Sequence, residues 1–260
     1  MVLLSFFIKL RVFEALFLSG IPVFGYFMFT ETLLFSDLLI LYASSFLCAL
    51  SVFALGDFFS SKNYLIRSVV LLTASCTIGL QKGFIHGIFP LLIFANWIFY
   101  YTSRKLMVLP DLILHFFGGI LQFYFGVIFS DNSNFSFQTF ILASGVSLAF
   151  TGGYIVDLVQ DIDEDKDLRQ KNLSSVLGTK ISMFISSALF FSAYLLMYIN
   201  TSNNILKFLL PVAFLTHLVF ILSMLRKKIA IQLYRMFYRI NFAVLCIGIF
   251  AFERLPDILN

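Results

Sequence analysis

Residues 138–158 read Gln138-Thr-Phe-Ile-Leu-Ala-Ser-Gly-Val-Ser-Leu-Ala-Phe-Thr-Gly-Gly-Tyr-Ile-Val-Asp-Leu158, with no charge before Asp157. Crossing the hydrocarbon core of a bilayer takes about 20 predominantly apolar residues in a helix. A chain inside lipid must satisfy its own backbone polar groups, as a helix or a closed barrel. Polar and apolar residues do not alternate here, so the stretch reads as a helix. Working outward, similar segments lie at 12–30, 36–56, 64–81, 86–102, 111–130, 180–199, 205–225 and 233–252. Composition agrees: 60% of the 260 residues are hydrophobic and 12% charged, and the mean hydropathy is +0.95. A soluble domain carries about 25% charged residues, and disordered chains are poor in apolar ones. Both classes are excluded. The expectation is an all-α polytopic membrane protein, nine transmembrane helices forming one integral-membrane domain over residues 1–260.

Charge orients these helices. With the N-terminus placed in the cytoplasm, the inner connections hold Lys9, Arg11, Lys62, Arg67, Arg104, Lys105, Lys166, Arg169, Lys171, Lys180, Arg226, Lys227, Lys228, Arg235 and Arg239. Of the 18 basic residues, Lys82, Lys207 and Arg254 remain outside. That is the bias of the positive-inside rule. Fusing the third and fourth segments across Gln81-Lys-Gly-Phe-Ile-His-Gly87 would break it. The expected topology is N-terminus inside and C-terminus outside, in a cell inner membrane, with no cleaved leader. The basic residues read as topology signals, so no nucleic-acid partner is expected. Cys48, Cys76 and Cys246 lie in apolar stretches without metal-ligand spacing and read as inert core thiols. His86, His115 and His217 do not cluster and read as structural.

The acids are concentrated. Six of the 14 fall between Asp157 and Asp167: Asp157, Asp161, Asp163, Glu164, Asp165 and Asp167. Asp157, Asp161 and Asp165 recur at i, i+4 and i+8, on one face of a helix, with Glu164 beside them. Two carboxylates about 6 Å apart repel by nearly 3 kcal/mol at an effective dielectric of about 20. Such a cluster at the end of a membrane helix needs positive charge. Carboxylates with retained waters are the ligand set of Mg²⁺, which commonly shares its shell with substrate phosphates. A solvated acidic loop is the plainer alternative.

The stretch from Val159 through Asp161, Asp165, Lys171 and Leu173 to Gly178 resembles the second aspartate motif of the UbiA-type membrane prenyltransferases. That motif is approximately D-x-x-x-D-x-x-x-G-x-K/R-T-L-x-V-x-x-G. Arg169 stands in place of its Gly and Asn172 in place of its Thr. Lys9-Leu-Arg11 before the first helix, and Tyr101-Thr-Ser-Arg104-Lys105 running to Pro110-Asp111, are weaker echoes. The first family motif, N-x-x-x-D-x-x-x-D, is reduced. With Asp57 on its first aspartate, Phe53 stands for the Asn and Ser61 for the second Asp.

The resemblance implies nine transmembrane helices around a central cavity. It also implies aspartates at the cytoplasmic ends of the second and sixth helices that bind Mg²⁺ and a prenyl diphosphate. Asp57, Asp157, Asp161 and Asp165 are then the expected metal ligands, with Asp161 and Asp165 central to catalysis. Lys171, Lys62, Arg67, Arg104 and Lys105 are expected to contact the diphosphate, since cations stabilise the charge that develops as the C–O bond ionises. Partners would be a prenyl diphosphate, an aromatic or other small lipophilic acceptor, and membrane lipids. Arg235 and Arg239, at i, i+4 beside Tyr234 and Tyr238, read first as charges that bind lipid phosphates or set topology, with acceptor binding the alternative. Two other functions share these features: a terpene cyclase of the same fold that needs no acceptor, and a non-catalytic lipid-binding or transport homologue. Against transport, the spans hold almost no ionisable residues.

Overall fold

A computed structural model of the chain describes residues 11–58, 64–103, 108–131, 135–162, 172–201, 204–226 and 229–254. Among these residues there are nine α-helices and no strand. They are α1 (Val12–Phe29), α2 (Phe35–Phe58), α3 (Leu65–Leu80), α4 (Phe84–Ser103), α5 (Val108–Val127), α6 (Phe137–Gln160), α7 (Leu173–Asn200), α8 (Asn204–Leu225) and α9 (Ile231–Ile249). A π-helical turn, Phe250–Arg254, follows α9. By length and hydropathy α2, α4, α6, α7, α8 and α9 can each cross a membrane, and Glu14–Phe29 and Leu65–Leu80 are shorter apolar helices. The all-α expectation is met. The third and fourth segments are separate helices, joined through Gly83 at φ 153.

The polarity is inverted relative to a soluble protein. Large apolar side chains face outward, among them Ile66, Phe137 and Phe184, each more than 70% exposed, while many serines are buried. In lipid this is favourable, because small polar residues let helices approach and bond across the contact.

The chain divides into two compact units. The first comprises the described residues of Met1–Thr102 and Leu121–Asn134. Within it α2 and α3 are joined by reciprocal serine bonds: Ser44 Oγ donates to Ser75 O at 2.9 Å, and Ser75 Oγ to Ser44 O at 2.7 Å. Ser68 Oγ donates to Ser51 O at 2.8 Å one end further on. Gly25 and Gly126 let α1 and the last turns of α5 touch backbone to backbone, Gly25 on the Phe123 carbonyl and Gly126 on the Pro22 carbonyl. At one end of this unit Lys82 Nζ lies 2.5 Å from Asp37 Oδ2, and Asp131 accepts hydrogen bonds from Thr30 and Thr32. The first turn of α2 and the connection before α4 meet there. Lys82, assigned by charge counting to the outer connections, is thus held by a carboxylate.

The second unit comprises the described residues of Ser103–Ile120 and Phe135–Asn260. Ser136 caps α6 by accepting from the Thr139 N–H at 3.1 Å. Gly119 of α5 packs on Ser147, whose hydroxyl donates to the Phe116 carbonyl. Buried polar side chains join α7, α8 and α9. His217 Nε2 pairs with Tyr234 OH at 2.6 Å and Nδ1 with Tyr194 OH at 3.2 Å; Asn241 Nδ2 donates to Tyr194 OH at 2.6 Å. With both ring nitrogens engaged, His217 has the structural role expected of it.

Segment seven begins earlier than its apolar run. Helix α7 starts at Leu173, and Gly178 interrupts it at φ 76, ψ 166. The hydropathy signal missed this first turn because Ser174, Ser175, Thr179 and Lys180 dilute it.

Candidate active site

In the second unit, the aspartate motif begins where α6 ends. Asp161 is the C-cap of α6, its N–H bonded to Asp157 O at 3.1 Å, and its side chain is exposed. The carboxylate has no ion pair or side-chain hydrogen bond among the described residues. A negative charge at a helix C-terminus opposes the helix dipole by about 0.3–1 kcal/mol, so this position favours a cation. Beside it, Gln160 Oε1 is buried without a hydrogen-bond partner among the described residues. Carboxylate and amide oxygens suit Mg²⁺, a hard cation that takes oxygen ligands. Among the described residues no group of three His, Cys, Asp or Glu side chains converges on one point. Asp165 and Lys171, the other expected members of this motif, lie outside the described residues, as do Lys62, Arg104 and Lys105.

The chain re-enters the described region at Asn172, and the local sequence explains its course. Asn172 Oδ1 accepts from the Ser175 N–H at 2.8 Å while Ser175 Oγ accepts from the Asn172 N–H at 2.9 Å, a reciprocal capping box. Asn172, which stands where the resembled motif has a threonine, is therefore the N-cap of α7. Leu173 packs on Ile155 and Leu158, and Ser174 Oγ donates to Leu158 O at 2.6 Å, tying this turn to the last turns of α6. Gly178 then takes the positive φ that ends the turn, a conformation that disfavours any residue with a Cβ. The motif's leucine and glycine are thus structural, and they return the chain beside the end of α6.

Asp157, one turn before Asp161, is already engaged. Its Oδ1 lies 2.7 Å from Arg235 Nε and its Oδ2 3.5 Å from Arg239 Nη2. The Arg235 approach is a charge contact rather than an aligned hydrogen bond. Arg235 and Arg239, read from sequence as lipid-phosphate or topology charges, meet a carboxylate of the motif face. The i, i+4 spacing was visible; their partner was not, because it lies 78 and 82 positions away.

Three further side chains gather in the same unit. Tyr154, three residues before Asp157, donates to Asp111 Oδ2 at 2.6 Å. His115 bonds through Nδ1 to Asp111 O at 3.1 Å and stacks on the Tyr154 ring, with centroids 3.4 Å apart and planes 10° from parallel. Asp111 and His115 are buried. Asp111 is the last residue of the helix 4–5 connection quoted above, so its spacing was legible while its partners were not.

In the first unit, Asp57 stands in the final turns of α2 among basic neighbours. The charges of Arg11 and Arg67 act on it. Arg11 also lies over the Phe53 ring at 5.6 Å, and Arg67 over Tyr64 at 5.4 Å, cation–π distances. Phe53, which replaces the first motif's asparagine, thus supports an arginine. Gly56 abuts the Tyr101 hydroxyl. Arg67 was expected from sequence; Arg11 was visible only as part of the opening segment.

No family model matches the chain, and no curated protein matches it in sequence. Solved structures do. A UbiA homologue from Archaeoglobus fulgidus bound to Cd²⁺ superposes with a TM-score of 0.71 at 16% identity, covering 93% of this chain and 96% of its own. A digeranylgeranylglyceryl phosphate synthase gives 0.68 at 16% identity over 100% of both chains. An apo UbiA homologue from Aeropyrum pernix K1 gives 0.67 at 15% identity, covering 91% of this chain and 96% of that one. The chain therefore has the fold of the UbiA homologues.

Proposed function

We propose that the protein is an integral-membrane prenyltransferase, moving a prenyl group from a prenyl diphosphate to an aromatic or other small lipophilic acceptor with Mg²⁺. The observation that carries this reading is Asp161, exposed at the C-terminal end of α6 and without an ion pair among the described residues. It begins an in-register aspartate motif, and the fold is that of UbiA homologues, one of them a prenyl-lipid synthase. Asp161 and Asp165 would hold Mg²⁺, which supplies positive charge to the departing diphosphate. Asp57 is proposed as a further magnesium ligand on the motif resemblance alone. Lys171, Lys62, Arg67, Arg104 and Lys105 are proposed diphosphate contacts, their charge stabilising what develops in the transition state. The orientation proposed from the charge bias puts these ends in the cytoplasm.

The test is product analysis with purified protein, Mg²⁺ and labelled farnesyl or geranylgeranyl diphosphate, with and without a panel of phenolic and lipid-alcohol acceptors. Label transferred to an acceptor supports the proposal. Acceptor-independent formation of a cyclic hydrocarbon replaces it with a cyclase, and no consumption of either diphosphate overturns it.

A further inference from the structure

Three contacts join α9 to the last turns of α6. Tyr238 OH donates to Gly153 O at 3.3 Å, Arg235 Nε lies 2.7 Å from Asp157 Oδ1, and Arg239 Nη2 lies 3.5 Å from Asp157 Oδ2. Helical residues three and four apart are neighbours on one face. Arg235, Tyr238 and Arg239 therefore form one face of α9, opposite Gly153 and Asp157 on one face of α6. Gly153 permits the approach, since a Cβ there would lie 2.8 Å from the Tyr238 ring. Helix α9 is itself fixed through Tyr234, whose hydroxyl pairs with His217 Nε2 of α8 at 2.6 Å.

The same end of α6 is tied to α7. Leu158 O is among the last carbonyls of the helix, which lack a partner within it, and it accepts from Ser174 Oγ at 2.6 Å. Residues 157 and 158 are thus held by two different helices. Asp161, the C-cap of α6, stands one turn further on. Whatever fixes Asp157 and Leu158 fixes the turn from which Asp161 projects.

Charge decides what Asp157 does there. A magnesium ion binds oxygen at about 2.1 Å. On Oδ1 it would face Arg235 Nε, 2.7 Å from the same atom, and on Oδ2 it would face Arg239 Nη2 at 3.5 Å. At either oxygen a second cation competes for the carboxylate. Asp161 has no ion pair among the described residues and meets no such competition from them.

We infer that Asp157 is a positioning residue. It anchors the arginine pair of α9, so that α9 braces the last turn of α6 and holds Asp161 in place for Mg²⁺; it is not itself a metal ligand. The inference rests on the magnesium role proposed above for Asp161.

The test is binding of Mn²⁺, which favours the same oxygen ligands as Mg²⁺, to full-length protein in detergent, with free Mn²⁺ read by electron paramagnetic resonance. Losing an outer-shell partner of a metal site costs about 10- to 100-fold. Asp157→Asn should therefore weaken Mn²⁺ about tenfold, and Asp161→Asn, which removes a ligand, at least a hundredfold. Arg235→Gln with Arg239→Gln should match Asp157→Asn. Adding Asp157→Asn to that pair should change affinity by no more than about twofold, because groups that act as one unit are not additive. Arg235→Lys with Arg239→Lys, which keeps the charge, should recover most of the loss. Unfolding midpoints near that of wild type separate these shifts from loss of fold, and Arg235→Gln alone takes the pair's place if the double variant does not fold.

Three results would overturn the inference while leaving the proposed function intact. One is wild-type or tighter Mn²⁺ binding in the arginine double variant while Asp157→Asn weakens it, which would make Asp157 a ligand. Another is a triple variant weaker than the arginine double by as much as Asp157→Asn is weaker than wild type. The third is wild-type binding in Asp157→Asn and the arginine double alike. Wild-type protein that binds no Mn²⁺, or Asp161→Asn that binds it as tightly as wild type, overturns both the inference and the magnesium role it rests on.

Discussion

Helix α6 carries three glycines whose surroundings predict three different responses to a single methyl group. At Gly145 an added Cβ would meet Ala193 O, Leu196 Cβ and Met197 Cγ, all at 3.6 Å, ordinary van der Waals separation. At Gly152 the nearest atoms, two of Phe190 and the Ser186 carbonyl, are at 3.3 Å. At Gly153 the Cβ would lie 2.8 Å from Tyr238 Cε2, 2.9 Å from its OH and 3.0 Å from its Cζ. That ring cannot retreat freely. It is buried, packs on Phe190 and Tyr234, and donates its hydroxyl to Gly153 O. Overpacking of this kind costs about 1–3 kcal/mol, and losing an intramembrane hydrogen bond adds about 0.6 kcal/mol on average. Gly153→Ala should therefore lose about 2–4 kcal/mol. Gly145→Ala should be neutral or gain up to about 1 kcal/mol in helix propensity, with Gly152→Ala between them. SDS-titrated unfolding of the purified protein, followed by circular dichroism, measures the series. The packing account fails if Gly153→Ala is as stable as wild type, or if Gly145→Ala loses as much as Gly153→Ala.

Two predictions concern the opposite end of the first unit. Lys82→Ala strips Asp37, whose side chain is 8% exposed, of an ion pair at 2.5 Å; the loss should be about 1–3 kcal/mol, since an uncompensated buried carboxylate remains. Adding Asp37→Asn should recover most of it, and equal stability of wild type and Lys82→Ala in the same SDS titration would exclude the pairing. Asp131 is held below the usual carboxylate range, chiefly by the Thr32 hydroxyl that donates to it at 2.6 Å. A carboxyl depressed on folding stabilises above its unfolded value, about 3.9, and that contribution is lost as pH falls through the lower folded value. Thr32→Val should therefore flatten the decline in unfolding midpoint as pH falls below about 4; an unaltered pH profile would show that the hydroxyl has no effect on Asp131.

What the sequence disclosed followed from local rules. Apolar run length located eight of the nine helices to within three residues at each end, and charge bias kept α3 and α4 apart across Gly83. The i, i+4, i+8 spacing singled out Asp157, Asp161 and Asp165 before any coordinates. Two kinds of information stayed hidden. Leu173–Leu177 is helical because Asn172 caps it and Leu173 packs on α6, and a hydropathy window registers neither effect. The partners of Asp157 are on α9, those of His217 on α7 and α9, and that of Asp111 on α6. Spacing along one helix says which residues share a face; it does not say which face of a distant helix will meet them. The contact of Arg235 and Arg239 with Asp157 was for that reason not foreseen, although their regular spacing already marked them as a pair.

The most direct test of the account is Mg²⁺-dependent pyrophosphate release from labelled geranylgeranyl diphosphate by the purified protein, wild type beside Asp161→Ala. Mutating even an outer-shell partner of a metal site costs about 10- to 100-fold, so loss of a ligand itself should lower the rate at least a hundredfold while the helical fold persists. Equal rates in the two proteins, or release that chelation of Mg²⁺ leaves unchanged, would contradict the assignment of a magnesium–diphosphate site to the end of α6.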